Sequence, residues 1–473
     1  MPKPARLLAA ARVACAPLLA TILAACAAPP AATDAAPTES APITLAIVGA
    51  TVLPMDHEGE LPDTTVLVAG GRIVAVGPAS QVSVPEGAQV IDGHGRFLMP
   101  GLVDMHVHCW FPTDLTLFVA NGVTTIRNMF GAPLHVGWRD EIAAGRMFGP
   151  TIVTAGPIVD GDPPVWPGSR VVKTPEDARA AVAENVEGHY DFVKVYVGVP
   201  ADAYAALIEA ARAAGQDVCG HVPRAVGLLG VLAAGQHTIE HLDGFERALV
   251  ETPSDNPSAF GQLLIDWTHA DLSRLPALVQ AAKESGAYQC PTLVVLQKVI
   301  GPDDLDRELA RPEMRFVPPM MMSMWKGRAA QGGKAAELAR AGDAARLATT
   351  RALAQAGVPI VLGTDMGNPW VVAGWGVHEE LANLVAAGLT PAAALRAATR
   401  TPAECLHATS EFGAVAPGLR ADLLLLADDP TRDVANASHR VGVVLRGNWL
   451  PEADLQKRLE AVPEQIANGA TAP

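Results

Sequence analysis

The chain has 473 residues, 49% of them hydrophobic and 18% charged, so it can bury a large core and is not disordered in composition. Its formal net charge is -15 and no long Lys/Arg run occurs, which argues against a nucleic-acid partner, whose phosphates demand a basic face. None of the cysteines shows a CxxC spacing, so a structural zinc site is not expected.

Residues 1–25 read as a targeting signal. Lys3, Arg6 and Arg12 form a basic start, and Val13 to Ala25 is an apolar stretch too short to span a bilayer comfortably. Its ending, Leu23-Ala24-Ala25-Cys26, resembles the bacterial lipoprotein signal. That resemblance implies an exported protein whose lipidated Cys26 anchors it to a cell-envelope membrane facing the periplasm. An ordinary cleaved signal peptide is the alternative. Residues 26–42, rich in Ala, Pro and Thr, then form a flexible tether. Cys109, Cys219, Cys290 and Cys405 are scattered and read as buried free thiols.

Residues 43–98 alternate short Val/Ile runs with Gly, Pro and Asp, and Gly70-Gly71 marks a hairpin turn. From Met99 to residue 412, apolar strands alternate with Ala-rich helical stretches, the texture of a parallel sheet with crossover helices. Eight strands are expected: Leu102–His108, Val123–Asn128, Thr151–Ala155, Phe192–Val197, Asp217–His221, Thr238–Leu242, Tyr288–Val295 and Pro359–Asp365. The pattern predicts an α/β fold, a (β/α)8 TIM barrel, with an open doubly wound sheet as the alternative. The long stretch Val299–Ala348, with Met320-Met321-Met322-Ser323-Met324-Trp325, reads equally as core packing or as a substrate wall. Strand texture returns over 413–450, predicting a small β-sandwich built with residues 43–98. Residues 451–473 read as a polar, peripheral tail.

The chemistry gathers at predicted strand ends. His106 and His108 are two residues apart, so on a strand both rings reach one face. Lys194, His221, His241 and Asp365 occupy the ends or inner faces of later strands. Nitrogen and carboxylate donors without cysteine suit Zn²⁺ in a catalytic site.

The segment Pro100-Gly-Leu-Val-Asp-Met-His-Val-His108, the Gly220-His221, the Ile239-Glu-His241 and the Gly363-Thr-Asp365 resemble the amidohydrolase superfamily, in order. The imidazolonepropionase-like and prolidase-like branch is the most similar. The resemblance implies that His106, His108 and Asp365 hold one metal and His221 and His241 a second. It also implies that Lys194, carboxylated on its amine, bridges them. A mononuclear site, with Lys194 a plain cation, is the alternative. Asp365 is then the catalytic proton carrier for a metal-activated hydroxide that cleaves an amide of a small molecule, such as an Xaa-Pro dipeptide or an N-acyl amino acid. Cyclic-amide, lactone or phosphotriester hydrolysis, or a non-catalytic binding scaffold, are the other readings. Arg127, Tyr196 and His378 are candidate substrate contacts, Arg127 equally a structural ion pair. Asn128 stands where relatives often carry Asp, so no role is carried over to it.

Overall fold

The computed structural model describes residues 41–469 except 257–258, 299–301, 303 and 332. The predicted signal and Cys26 lie outside the described residues. Five strands come first: β1 (Ile43–Val52), β2 (Leu61–Ala69), β3 (Arg72–Pro78), β4 (Gln89–Asp92) and β5 (Phe97–Pro100). β2 and β3 pair antiparallel across Gly70 and Gly71, whose φ angles of 56° and 79° meet the left-handed demand of a tight hairpin turn.

The middle of the chain supplies two parallel sheets. β6 (Leu102–Val107), β7 (Val123–Asn128) and β8 (Thr151–Thr154) form the first. The second contains β9 (Val159–Asp160), β10 (Arg170–Val171), β11 (Val193–Val195), β12 (Val218–Gly220), β13 (Thr238–Glu240) and β14 (Tyr288–Cys290), in the order β10-β9-β11-β12-β13-β14. Isolated parallel bridges link Ala155 after β8 with Phe192 before β11, and tie Gln289 of β14 to Ile360 and Val107 of β6 to Met366. Helices such as Pro175–Glu187, Ala201–Ala213 and Leu275–Ser285 follow the strands and bury their apolar stripes.

Two expected strands differ. Past Cys290 the predicted strand turns into the helix Leu293–Lys298. Pro291 cannot donate to a ladder, Thr292 takes a φ of 48°, and the Glu380 carboxylate accepts the N–H groups of Leu293 and Val294 at 2.9 and 2.7 Å. A capped helix start therefore overrides the β preference of the valines. The Pro359–Asp365 stretch makes strand-type bonds to both neighbours, Val361 N–H to Gln289 and Asp365 N–H to His106, without forming a continuous ladder. The Leu362 N–H is diverted to the Ala397 carbonyl.

β15 (Leu423–Leu426), β16 (Arg440–Leu445) and β17 (Asn448–Pro451) return to the first strands. β15 pairs with β5, Leu423 opposite Pro100 and Leu424 opposite Met99, so both ends of the chain share one eight-stranded sheet. Leu45, Ile47, Val66, Val68, Leu423 and Leu425 pack together there. The hydrogen bonding makes one mixed sheet of the segments expected to form a sandwich.

Residues 452–467 are not peripheral. Glu452–Ala467 is a helix whose Leu455, Leu459, Val462 and Ile466, spaced four, three and four, are buried in the same core as Leu117 and Phe118. Leu455→Ala is expected to cost about 2–5 kcal/mol of stability, as for other fully buried leucines, and thermal or urea unfolding reads it. A loss under half a kcal/mol would return the helix to the periphery. The methionine-rich segment lies in helix Pro319–Gln331, where Met321, Met322 and Trp325 pack on the core, in line with the packing reading. Trp325 is buried against Trp370, ring centres 5.6 Å apart, while Met320 and Met324 are exposed.

Cys109, Cys219, Cys290 and Cys405 are buried free thiols, as expected. Among the described residues, no helix is long and apolar enough to cross a membrane.

Candidate metal centre

The geometry starts on β6. Every residue of Leu102–Val107 is buried, so the polar side chains in it must find partners. Asp104 accepts from the Thr364 backbone N–H at 3.0 Å and from the Thr364 hydroxyl at 2.6 Å, which locks the residue before Asp365 onto this strand. Gly363 lets the chain come that close: a Cβ there would lie 2.4 Å from the Cys290 sulfur and 2.8 Å from the His106 Cβ. Asp365 is thereby held with Oδ1 3.4 Å from His106 Nε2 and 3.0 Å from His108 Nε2.

His241 follows β13 directly, at a φ of 63°. Its Nδ1 lies 2.7 Å from the Thr292 hydroxyl and 3.9 Å from Asp365 Oδ2. Its ring centre is 4.5 Å from that of His106 and 4.8 Å from that of His221. His221 follows Gly220, and its Nδ1 is 3.0 Å from Asp243 Oδ2. Lys194, on β11, is fully buried. Side chains of His108, Lys194, His221, His241 and Asp365 line one cavity of about 720 Å³. His106 sits behind it.

Burial, and then the nearby Lys194 ammonium, push the His106 imidazole down to about 3, so the ring is neutral at ordinary pH. Burial and the neighbouring His106 hold His241 well below the ordinary histidine value. Burial opposes ionisation of Asp365, but electrostatic attraction to the neighbouring His106 and His241 outweighs it and holds its carboxyl below the usual range. Burial also lowers Lys194. The His106 Nε2, Asp365 Oδ1 and Lys194 Nζ atoms are buried without a hydrogen-bond partner. The bare His106 Nε2 and Asp365 Oδ1 are costly in a low-dielectric interior; one donor atom each from His106, His241 and Asp365 lies within 4.8 Å of the others, and a cation bound there would offset that cost.

Outer contacts aim these groups. The His106 Nδ1 is 2.8 Å from Glu240 Oε2, leaving its Nε2 turned to Asp365. Glu240 is in turn held by Arg127 at 2.8 Å and by the Thr238 hydroxyl. Asp243 and Thr292 do the same for His221 and His241. Sequence reasoning gave Glu240, Asp243 and Thr292 no role. A carboxylate inside the apolar Ile-Glu-His run was the available signal for Glu240, and the Asp two residues past His241 for Asp243.

Of the candidate substrate contacts, Tyr196 lines the cavity, its ring 4.1 Å from His221 and its hydroxyl accepting from Trp166 Nε1 at 2.9 Å. Arg127 is corrected to the structural alternative. It is 1% exposed, donates to the Met105 carbonyl and Glu240, and does not line the cavity. His378 is corrected too: its Nε2 is 3.1 Å from the Asn121 carbonyl, just before the start of β7 and hence at the other end of the strands.

With the site in view, comparison with known proteins gives its class. Residues 97–450 match the amidohydrolase family, and the chain belongs to that family of metal-dependent hydrolases. The chain is 28% identical to the solved bottromycin amidohydrolase, covering 91% of this chain and 94% of that one with a TM-score of 0.72. A structure described as a prolidase from Bifidobacterium longum is 26% identical, covering 89% and 100%, with a TM-score of 0.65. Among curated proteins, an adenine deaminase of Paracoccus denitrificans is 43% identical over 68 residues, 14% of this chain. An imidazolonepropionase of Caulobacter vibrioides is 43% identical over 56 residues, 12% of this chain. The matched stretches span only 11% and 14% of those two relatives' lengths.

Proposed function

We propose that this chain hydrolyses the amide bond of small carboxylate-bearing substrates, dipeptides such as Xaa-Pro or N-acyl amino acids. The observation that carries this reading is the set of bare, buried polar atoms of Asp365 and Lys194 on the cavity wall and of His106 directly behind it. Val226, Leu228, Val295 and Leu296 offer the cavity an apolar wall for a side chain, and Arg224 a cation for a carboxylate. The two parallel sheets, with the isolated bridges between them and the Ile360 and Met366 stretch, are read as one (β/α)8 ring with the eight-stranded sheet as its satellite. On that reading the ligand side chains converge at the C-terminal mouth.

Two Zn²⁺ ions fit the donor set. His106, His108 and Asp365 would hold one, His221 and His241 the other, with carboxylated Lys194 between them. Bound Zn²⁺ supplies a Lewis acid that polarises a carbonyl and brings the pKa of a water toward about 7. The protein's own part is proton handling and orientation. Asp365 accepts the proton of the attacking water and delivers it to the departing amide nitrogen. Tyr196 and His221 flank the substrate, and Asp243 and Thr292 keep the imidazoles aimed. Lipidated Cys26 would hold this hydrolase on the cell envelope, facing the periplasm.

A panel of Xaa-Pro and other dipeptides, N-acyl amino acids, cyclic amides and lactones, assayed on zinc-loaded protein, tests the reading. Turnover is expected in the first two classes. Turnover confined to cyclic amides or lactones would overturn it.

A further inference from the structure

The ends of β12 and β13 away from the cavity carry a second set of donors. Asp217 and His237 immediately precede these strands, whereas His221 and His241 follow them. His407, two residues beyond the helix Arg400–Cys405, reaches the same place. One donor atom from each of Asp217, His237 and His407 lies within 4.8 Å of the others. Cys405 adds a buried thiol beside His237.

We propose that Asp217, His237 and His407, with the Cys405 thiol drawn in as a fourth ligand beside His237, form a separate site for a divalent cation of zinc's class. The three separations that the structure gives are close to a tetrahedron's edges. Ligands about 2.0–2.3 Å from a zinc ion at tetrahedral angles stand about 3.4 Å apart for N and O and about 3.6 Å for N and S. Asp217 Oδ2 lies 3.0 Å from His407 Nε2 and 3.6 Å from His237 Nε2. The Cys405 sulfur lies 3.5 Å from that same His237 Nε2. Two imidazoles, a carboxylate and a thiol suit zinc better than Mg²⁺ or Ca²⁺, which take oxygen. The donors come from three stretches of chain, so no CxxC spacing announces them.

The cation competes with one existing contact. His237 Nε2 is 2.8 Å from the Cys405 carbonyl and donates its proton there when no ion is bound. Binding moves the ring proton to Nδ1, freeing the Nε2 lone pair, and the Cys405 thiol releases its proton to solvent. The ring of Tyr288, 5.2 Å away, backs His237, and the side chain of His407 is 69% exposed, which leaves an entry path. A bound ion would tie the segment after Cys405 to the starts of two central strands, a structural cross-link remote from the catalytic cavity.

The experiment is zinc content per chain for the full-length wild type and for His407→Ala and Asp217→Asn, with kcat/KM measured alongside. Each variant is expected to hold one zinc fewer with kcat/KM unchanged, because neither residue touches the cavity. The Co²⁺-loaded wild type is expected to show a near-ultraviolet thiolate charge-transfer band that Cys405→Ser lacks. Equal zinc in wild type and His407→Ala overturns the site, as does a Co²⁺ spectrum unaltered by Cys405→Ser. Either result leaves the proposed hydrolysis standing, since that rests on residues at the other mouth.

Discussion

Asp365→Asn is expected to lower kcat by about 10²–10⁴-fold, the usual worth of a positioned general acid–base. The substitution keeps shape and one oxygen donor while removing the basic carboxylate 3.0 Å from His108 and 3.4 Å from His106. Zinc content is expected to fall far less than turnover, because the histidines remain. Kinetics and metal analysis on the same sample separate the two roles. A variant near full activity would remove Asp365 from proton transfer, and a variant that lost metal and activity in parallel would leave it a ligand alone.

Arg127→Ala is expected to act through stability and metal affinity, with no selective effect on substrate binding. Glu240 is fully buried, and Arg127 is the cation that compensates it. Removing one partner of a buried ion pair strands the other and typically costs about 3–5 kcal/mol. Glu240 also orients His106, and loss of such an outer contact weakens metal affinity by about 10–100-fold. Thermal unfolding and competitive zinc titration check both effects. A raised KM with unchanged stability and zinc affinity would restore Arg127 to the substrate.

How much of this was legible depended on whether a residue's surroundings come from its own stretch of chain. His106, His108, His221, His241 and Asp365 stood out because imidazoles and a carboxylate at the ends of apolar runs have few local explanations. The structure brings the last four to one cavity and His106 directly behind it. The β2–β3 hairpin was legible from Gly70-Gly71 for the same local reason. Arg127 was not decided by its neighbours. Its direction is set by Glu240, more than a hundred residues away, and a buried carboxylate there claims the guanidinium. The valines after Cys290 look like strand until Glu380, from a distant helix, caps them as helix. The final helix was legible in principle, from apolar residues spaced four, three and four. Its many charges hid a stripe that faces the core.

The central claim is that the gathered histidines and Asp365 work through bound divalent metal. Chelating the purified chain to remove metal, then titrating Zn²⁺ back while following hydrolysis of the best dipeptide, tests it most directly. The account predicts no turnover without metal and recovery on zinc addition, with no recovery in His241→Ala. A metal-free chain that turns over as fast as the untreated protein would contradict it.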